Sequence, residues 1–312
     1  MQIVLLGATG FLGHHLLPSL SAAGHDCRVL SRYKPGCREL TVIPRLEVRQ
    51  ADIHDDDQLE KHFAGADAVI NMVGILNERG RKGKGFRKAH VELTQRVINT
   101  CLKQGVHRLV QVSALNAGKG SSYYLKSKGE AEDLIRSAEG LNSTIVQPSV
   151  IFGEGDSFFN RFAGLLKAAP VMPLACPDSK LQPVWVGDVV AAMTSALDDP
   201  ETFGQTLIMV GPEEYTLREL VEFTACVIGR KRKIIGLPDA LSRLQGRVMD
   251  FVPGKPFSSD NYRSLQTDNT SVENSLWRFG ISPRSIENTV PFYLAGKGHQ
   301  EQLDRCRKKA DV

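Results

Sequence analysis

The reading of the fold turns on the first twenty residues, Met1 to Leu20, MQIVLLGATGFLGHHLLPSL. Gln2 to Leu6 reads as a short strand buried on both faces, and Phe11 to Leu20 has the apolar spacing of a helix. Between them, Gly7, Gly10 and Gly13 carry the chain through a tight turn. A glycine-rich turn from strand to helix lets the backbone approach a pyrophosphate closely. It also aims the unpaired N–H groups of the helix N-terminus at that anion. Glycines at this spacing occur in ordinary turns as well, so the motif gains its meaning from the strand before it and the helix after it.

Outward from this stretch the pattern repeats. Strands are predicted at Asp26–Ser31, Leu46–Gln50, Ala68–Asn71, Arg108–Ser113 and Ser143–Gln147. Helices are predicted at Asp57–Phe63, at Gly85–Gly105 with a closing glycine of the kind that ends helices, and at Tyr123–Glu139. Alternation at this spacing predicts an α/β fold, a Rossmann doubly wound parallel sheet over residues 1–150. Beyond Pro148 the pattern loosens, with Pro170, Pro173, Pro177 and Pro183 close together and shorter elements at Val186–Leu197 and Gln205–Val210. Residues 151–312 are therefore expected to form a smaller, mixed C-terminal substrate lobe over the carboxyl ends of the strands, where ligands bind in such sheets. The polar, basic tail from about residue 300 is expected to fray.

Composition narrows the function. A net charge of +4 is too small for a nucleic-acid partner, and no apolar run is long enough to span a membrane. The N-terminal apolar stretch has no basic leader and already forms the glycine motif, so a signal peptide is not expected. Cys27, Cys37, Cys101, Cys176, Cys226 and Cys306 contain no C-x-x-C pair, which points away from a metal site or a disulfide framework and toward a reducing, cytoplasmic compartment. His14, His15, His25, His54, His62, His107 and His299 show no metal-ligand spacing. Asp55 to Asp57 reads as the charge cluster of a helix N-terminus.

The end of the second predicted strand bears on the choice of dinucleotide. A carboxylate there accepts from the ribose 2′-OH of NAD, whereas this chain has Ser31-Arg32. A hydroxyl followed by a guanidinium suits a 2′-phosphate, so NADP(H) is expected over NAD(H). Asp52 and Ile53, after the third strand, are placed to meet the adenine. Tyr124 and Lys128 lie one helical turn apart on one face of the helix after the fifth strand. An ammonium beside a phenol stabilises the phenolate and lowers its pKa, which would make Tyr124 a general acid/base near neutral pH.

GATGFLG, Asp52-Ile53, Asn71 to Gly74, Ser113, YLKSK (Tyr124 to Lys128) and PSVIFG (Pro148 to Gly153) together resemble an extended short-chain dehydrogenase/reductase of the epimerase/dehydratase-like kind. More narrowly, VSALNA, YLKSKGEAE, PSVIFGEGDSFFNRFA and QPVWVGDVV are similar to the atypical branch that includes an NADPH-holding accessory subunit of respiratory complex I and its bacterial relatives. The likeness covers residues 1 to about 235 well and the remainder loosely. It implies that Gly7, Thr9, Gly10, Phe11, Leu12 and Gly13 cradle the pyrophosphate and that Arg32, beside Ser31, holds the 2′-phosphate. Asp52 and Ile53 would meet the adenine, and Val73 and Gly74 the adenine-ribose side. Tyr124 and Lys128 would bond the nicotinamide ribose, with Pro148, Val150 and Ile151 along the nicotinamide. Ser113, Tyr124 and Lys128 are the catalytic candidates. Asp188, in VGDVV, matches a family aspartate and reads as a helix N-cap.

Two departures from active members stand beside this likeness. Only eleven positions separate Ser113 from Tyr124, so aligning the strand ends puts Leu115 or Ala114, not Ser113, where the substrate-polarising hydroxyl is expected. The long helix carries His90-Val-Glu-Leu-Thr94 where active relatives usually place an asparagine. Losing one oxyanion-type donor costs a few kcal/mol of transition-state stabilisation, about 3 kcal/mol by comparison with other enzymes. Two readings stay open. One is an accessory protein that keeps NADPH, with a protein partner in a respiratory or quinone-biosynthetic complex and possible peripheral contact with the inner face of a membrane. The other is an active NADP(H)-dependent oxidoreductase or epimerase-like enzyme.

Two further stretches call for a reading. Asn77 to Lys88 is a glycine-studded basic loop (Arg79, Arg81, Lys82, Lys84, Arg87, Lys88), either a lid or docking patch or, as expected more often, a solvated loop. Leu237, Leu241, Leu244, Val248 and Phe251 recur at helical spacing. The ordinary expectation is that such a face packs on its own domain, and the alternative is that it lies on a membrane surface.

Overall fold

Seven parallel strands form the central sheet of the computed structural model, which describes residues 1–33, 40, 42–78, 80–253 and 255–295. Cys37, Cys306, His299, Arg79 and the tail from residue 300 lie outside the described residues. The chain runs β1 (Gln2–Leu6), α1 (Phe11–Ala22), β2 (Asp26–Ser31), β3 (Leu46–Gln50), α2 (Asp56–Phe63) and β4 (Ala68–Asn71). A long helical stretch follows in three segments: α3 (Lys84–Phe86), a π-helical segment (Arg87–Glu92) and α4 (Leu93–Gln104). After β5 (Arg108–Val112), α5 (Tyr123–Arg136), β6 (Asn142–Pro148) and β7 (Ile151–Phe152) come α6 (Phe158–Ala168), β8 (Val171–Leu174), β9 (Lys180–Leu181) and β10 (Val184–Trp185). The chain continues with α7 (Val186–Asp198), β11 (Thr206–Met209), β12 (Tyr215–Thr216), α8 (Leu217–Val227) and β13 (Lys233–Gly236), then α9 (Asp239–Met249), α10 (Ser259–Ser264) and α11 (Val290–Leu294).

The sheet order is β11-β6-β5-β4-β1-β2-β3. β1 pairs β2 on one side and β4 on the other, so the strand order reverses at β1, beside the glycine turn. This is the Rossmann arrangement expected from the sequence, and the reversal opens the crevice in which such sheets take their ligands. The inner strands are buried along nearly their whole length, as β4 and β5 show, with Asn71, Arg108 and Gln111 the buried polar exceptions, while the edge strand β3 alternates. Continuous burial is what a parallel sheet covered on both faces requires.

Two units divide the chain. The first comprises Met1–Pro148, Val189–Met209 and Asn274–Ile281, and the second Ser149–Asp188, Val210–Glu273 and Ser282–Val312. A single cut at residue 150 does not follow this interleaving. β11, read in the sequence as part of the smaller lobe, is the edge strand of the main sheet, paired to β6 with Thr206 opposite Ile145. Arg108 helps to hold the approach to β11. Its buried guanidinium donates to the carbonyls of Ala196, Leu197 and Asn142 and to the hydroxyls of Thr144 and Thr202. The first core gathers Val4, Leu6, Val69, Val97, Leu109 and Ile145, and the second gathers Phe152, Phe159, Leu174, Leu220 and Val221.

Three local expectations are corrected. Gly85–Gly105 is not one α-helix; it widens to π geometry over Arg87–Glu92 before closing at Gly105 with left-handed φ. α5 ends at Arg136, short of Glu139. Asp188 is not an N-cap, because α7 begins two residues earlier at Val186. It sits in the first turn instead, and its carboxylate accepts from the Arg284 N–H at 2.8 Å. Asp55 does cap α2, accepting from the Gln58 N–H at 3.2 Å.

Candidate functional site

All seven strands of the main sheet run parallel, so the residues at their carboxyl ends share one edge. Gly7 follows β1, Ser31 and Arg32 close β2, and Asp52 and Ile53 follow β3. Asn71 to Gly74 leave β4, Ser113 follows β5, and Pro148 ends β6. Val150 and Ile151 belong to the second unit, where Ile151 pairs with Val184.

The glycine turn fits a dinucleotide. Gly7 has φ +77°, a left-handed conformation, and a Cβ there would come within 2.9 Å of the Met72 and Val73 backbone. A Cβ on Gly13 would collide with the Ala8 carbonyl, so that glycine allows α1 to pack against the turn. Gly10 differs, since a Cβ there would meet only the Gly7 carbonyl, at 3.3 Å. Gly10 is the N-cap of α1 with extended backbone and no side-chain cap, and the first turn carries no acidic residue. A helix N-terminus left in this state is an anion site, and it fits the pyrophosphate that Thr9, Phe11 and Leu12 would also approach.

At the ends of β2 and β3 the side chains are partly committed. Ser31 Oγ and the Tyr33 backbone bond one another (3.3 and 3.4 Å), and Asp52 accepts from the His54 N–H at 3.0 Å. Arg32 is exposed. Burial, then the charges of Lys88, Arg96 and Arg32, hold His54 below the usual histidine pKa against the opposing pull of Asp52. Lys88, Arg96 and Arg32 are therefore close enough to His54 to act on its charge, with Asp52 acting the other way.

From β4 to α5 the site is a connected polar network. Asn71 donates to Gln111 at 2.9 Å and accepts from the Val73 N–H at 3.1 Å. Lys128 is buried on α5 and its Nζ donates to the Val112 carbonyl at 3.0 Å. Gly74 lies alongside, where a Cβ would be 3.6 Å from Lys128 Nζ and 3.9 Å from His90 Nε2. His90, fully buried on the π-helical segment, accepts from the Ile75 N–H through Nε2 at 3.2 Å. Its Nδ1–H then donates to Ser127 Oγ at 2.8 Å, and Ser127 donates to the Tyr124 carbonyl at 2.9 Å. The His90 ring also meets the Tyr124 ring edge-on, with centroids 5.6 Å apart.

The electrostatics correct one expectation. Tyr124 is not drawn toward ionisation by Lys128; burial pushes its phenol up to about 12. Burial likewise brings the Lys128 ammonium down to about 8, against the pull of Glu132, and holds His90 at about 2 with help from the Lys128 charge. Burial penalises the charged form of each side chain, phenolate and ammonium alike. At neutral pH the site holds a neutral phenol and a neutral imidazole. Ser113 Oγ, buried at the end of β5, has no hydrogen-bond partner among the described residues.

Sequence reasoning missed Ser127, which orients His90, and Glu78. The buried Glu78 carboxylate accepts from the N–H groups of Gly83 (2.6 Å) and Gly85 (2.7 Å), folding the basic loop around itself. A lone acid among arginines, lysines and glycines was the available signal. Arg81, Lys82, Lys84, Arg87 and Lys88 are exposed, as expected of a solvated loop, and Arg87 pairs with Glu130.

Comparison with known proteins agrees with this geometry. A family profile described as NAD(P)H-binding matches residues 7–158. The chain is 30% identical over 295 residues to NADH dehydrogenase (ubiquinone) 1 alpha subcomplex subunit 9 of Mus musculus, covering 91% of this chain and 77% of that protein. It is also 30% identical over 252 residues to a ceramide reductase of Caulobacter vibrioides, covering 80% and 77% of the two chains. Among solved structures, a double mutant of dTDP-glucose 4,6-dehydratase from Streptomyces venezuelae superposes with TM-score 0.76 at 19% identity, covering 94% of this chain and 96% of that one. At that identity the match speaks for the fold alone. The glycine turn, the parallel sheet and these relatives together place the chain in the NAD(P)-binding, epimerase/dehydratase-like short-chain dehydrogenase/reductase family, among the homologues of the complex I alpha subcomplex subunit 9 proteins.

Proposed function

We propose that the protein keeps NADP(H) as a firmly held ligand and serves as an accessory component of respiratory or quinone-linked machinery. The observation that carries this reading is the state of the Tyr124–Lys128–His90 cluster. Burial holds Tyr124 as a neutral phenol at pH 7, which makes it a poor general base. His90 spends both ring nitrogens on Ile75 and Ser127, whereas Lys128 gives one donor to the Val112 carbonyl and keeps two N–H groups for a ligand. Such a cluster is suited to clamp a ribose by hydrogen bonds more than to move protons. Gly7, Gly10 and Gly13 would receive the pyrophosphate, and Arg32, with Lys88 nearby in the field at His54, supports a 2′-phosphate. The relatives named as subunits of NADH dehydrogenase (ubiquinone) support the respiratory or quinone-linked partner.

One observation favours the second reading, an NADP(H)-dependent oxidoreductase. Ser113 Oγ is a buried hydroxyl with no partner among the described residues, one or two positions before the place where the substrate-polarising hydroxyl is expected. A bound nicotinamide would supply hydride chemistry in that case, and a relative named ceramide reductase makes a carbonyl-type substrate the first to try.

The readings separate in one experiment. NADPH and NADH are titrated into wild type, Arg32→Ala and Tyr124→Phe, and NADPH release and oxidation are followed. The accessory reading predicts tighter NADPH than NADH binding, with that preference lost in Arg32→Ala by about tenfold or more. It also predicts faster NADPH release from Tyr124→Phe and no oxidation by carbonyl compounds. Equal or tighter NADH binding contradicts the NADP(H) preference. Turnover abolished by Tyr124→Phe with nucleotide binding largely retained establishes the oxidoreductase instead.

A further inference from the structure

Helix α9 (Asp239–Met249) is amphipathic in reverse. Its buried residues are the small Ser242 and Gly246, and a Cβ on Gly246 would come within 3.2 Å of the Ser258 carbonyl at the start of α10. Polar groups fix this inner side. The Asp239 carboxylate accepts from Tyr262 at 2.6 Å, Asp250 accepts from the Ser259 N–H and hydroxyl at 3.2 and 2.7 Å, and Ser242 bonds the Leu237 carbonyl and the Cys176 N–H at 3.1 Å. The large apolar residues face outward. Leu241, Leu244, Val248 and Phe251, spaced to form one stripe, are 48%, 53%, 55% and 75% exposed, and Val252 continues it. The expectation that this face packs on its own domain is thus overturned within the second unit.

We propose that this face seats the protein on the surface of an anionic phospholipid bilayer, an inference that goes beyond the nucleotide site and does not depend on it. Charge selects that occupant. Arg243 and Arg247 flank the stripe, are exposed, and make no ion pair among the described residues. The two carboxylates at the ends of α9, Asp239 and Asp250, accept from α10 residues, and Asp260 of α10 pairs with Arg263. The outward surface therefore presents leucine, valine and phenylalanine beside two exposed arginines that no described carboxylate bonds directly, the composition of helices that lie in a headgroup layer. A twofold pairing of two such faces would set the arginines of both copies along one interface, where like charges repel. No described helix is long and apolar enough to cross a membrane, so the contact is superficial.

The test is flotation of the full chain with vesicles of phosphatidylcholine alone or with about one third phosphatidylglycerol, at low and physiological salt. Wild type is expected to float with the anionic vesicles. Leu244→Glu/Val248→Glu should lose at least about tenfold in partitioning, and Arg243→Gln/Arg247→Gln should fall to the level seen with neutral vesicles. These side chains are exposed, so unchanged thermal melts are expected and would verify that both variants fold. A Phe251→Trp variant should show an added blue-shifted emission with vesicles, relative to the parent with Trp185 and Trp277. Wild type that stays unbound at low salt, or a double-glutamate variant that floats equally well, overturns the proposal. So does wild type that dimerises without floating while the double-glutamate variant is monomeric, which assigns the face to a second copy.

Discussion

Gly7, Gly10 and Gly13 are three glycines with three different physical reasons, and the reasons separate by mutation. Gly13→Ala drives a methyl into the Ala8 carbonyl and Gly7→Ala adds one at left-handed φ against Met72 and Val73, so each should destabilise the fold by about 2 kcal/mol or more. Gly10→Ala meets only the Gly7 carbonyl and should leave the thermal midpoint within a few degrees. It should nonetheless weaken dinucleotide binding by at least about tenfold, because its methyl covers the backbone that faces the pyrophosphate. Calorimetric melts and nucleotide titrations of the three variants check this; a Gly10→Ala protein that binds normally would remove the turn from the site. GATGFLG was legible because strand, turn and helix are consecutive in the chain. The state of Tyr124 was not, since a four-residue spacing to Lys128 says nothing of how far both are removed from water, and desolvation decided the outcome.

The π-helical segment Arg87–Glu92 turns a buried histidine toward the β4 exit, and π-helical insertions of this kind recur at functional sites. Its periodicity differs too little from an α-helix over six residues to be read from sequence. The consequence is a pH dependence. The unfolded chain takes up a proton on His90 near pH 6.5, whereas the folded protein resists until about pH 2. Between those values the unfolded state binds more protons, so stability falls as pH drops below 6.5, by about 1.4 kcal/mol per unit. His90→Asn should be less stable than wild type at pH 7.5, by about 1–2 kcal/mol from loosened bonds to Ile75 and Ser127, and should show a shallower loss on acidification. Denaturant titrations from pH 7.5 to 5 measure this, and identical slopes would mean that His90 does not resist protonation. The basic loop teaches a related lesson. Its charges were legible, and the one acid among them, Glu78, was visible too, but nothing in the sequence said that its carboxylate would turn inward onto the Gly83 and Gly85 N–H groups.

Over the whole molecule, the element order through β6 followed from alternation alone, while β11 did not. It joins the first unit's sheet only after the chain has spent Ser149–Asp188 in the second unit, and a return of that kind leaves no signal in local sequence. The same limit hid the outward face of α9, because hydrophobic spacing reveals a stripe but not which way it points. What joins the levels is the dinucleotide. The glycine turn, the residues after β2 and β3 and the Lys128 contact with Val112 follow the carboxyl ends of strands of one sheet, and under the proposed function one bound dinucleotide would engage them all. The most direct measurement is to purify the protein without added nucleotide, denature it, and identify and count by mass spectrometry what is released. The account predicts NADP(H) at close to one per chain, surviving dialysis. A protein that releases none, and that binds NADPH only weakly and reversibly when it is supplied, contradicts the reading of a ligand held rather than exchanged.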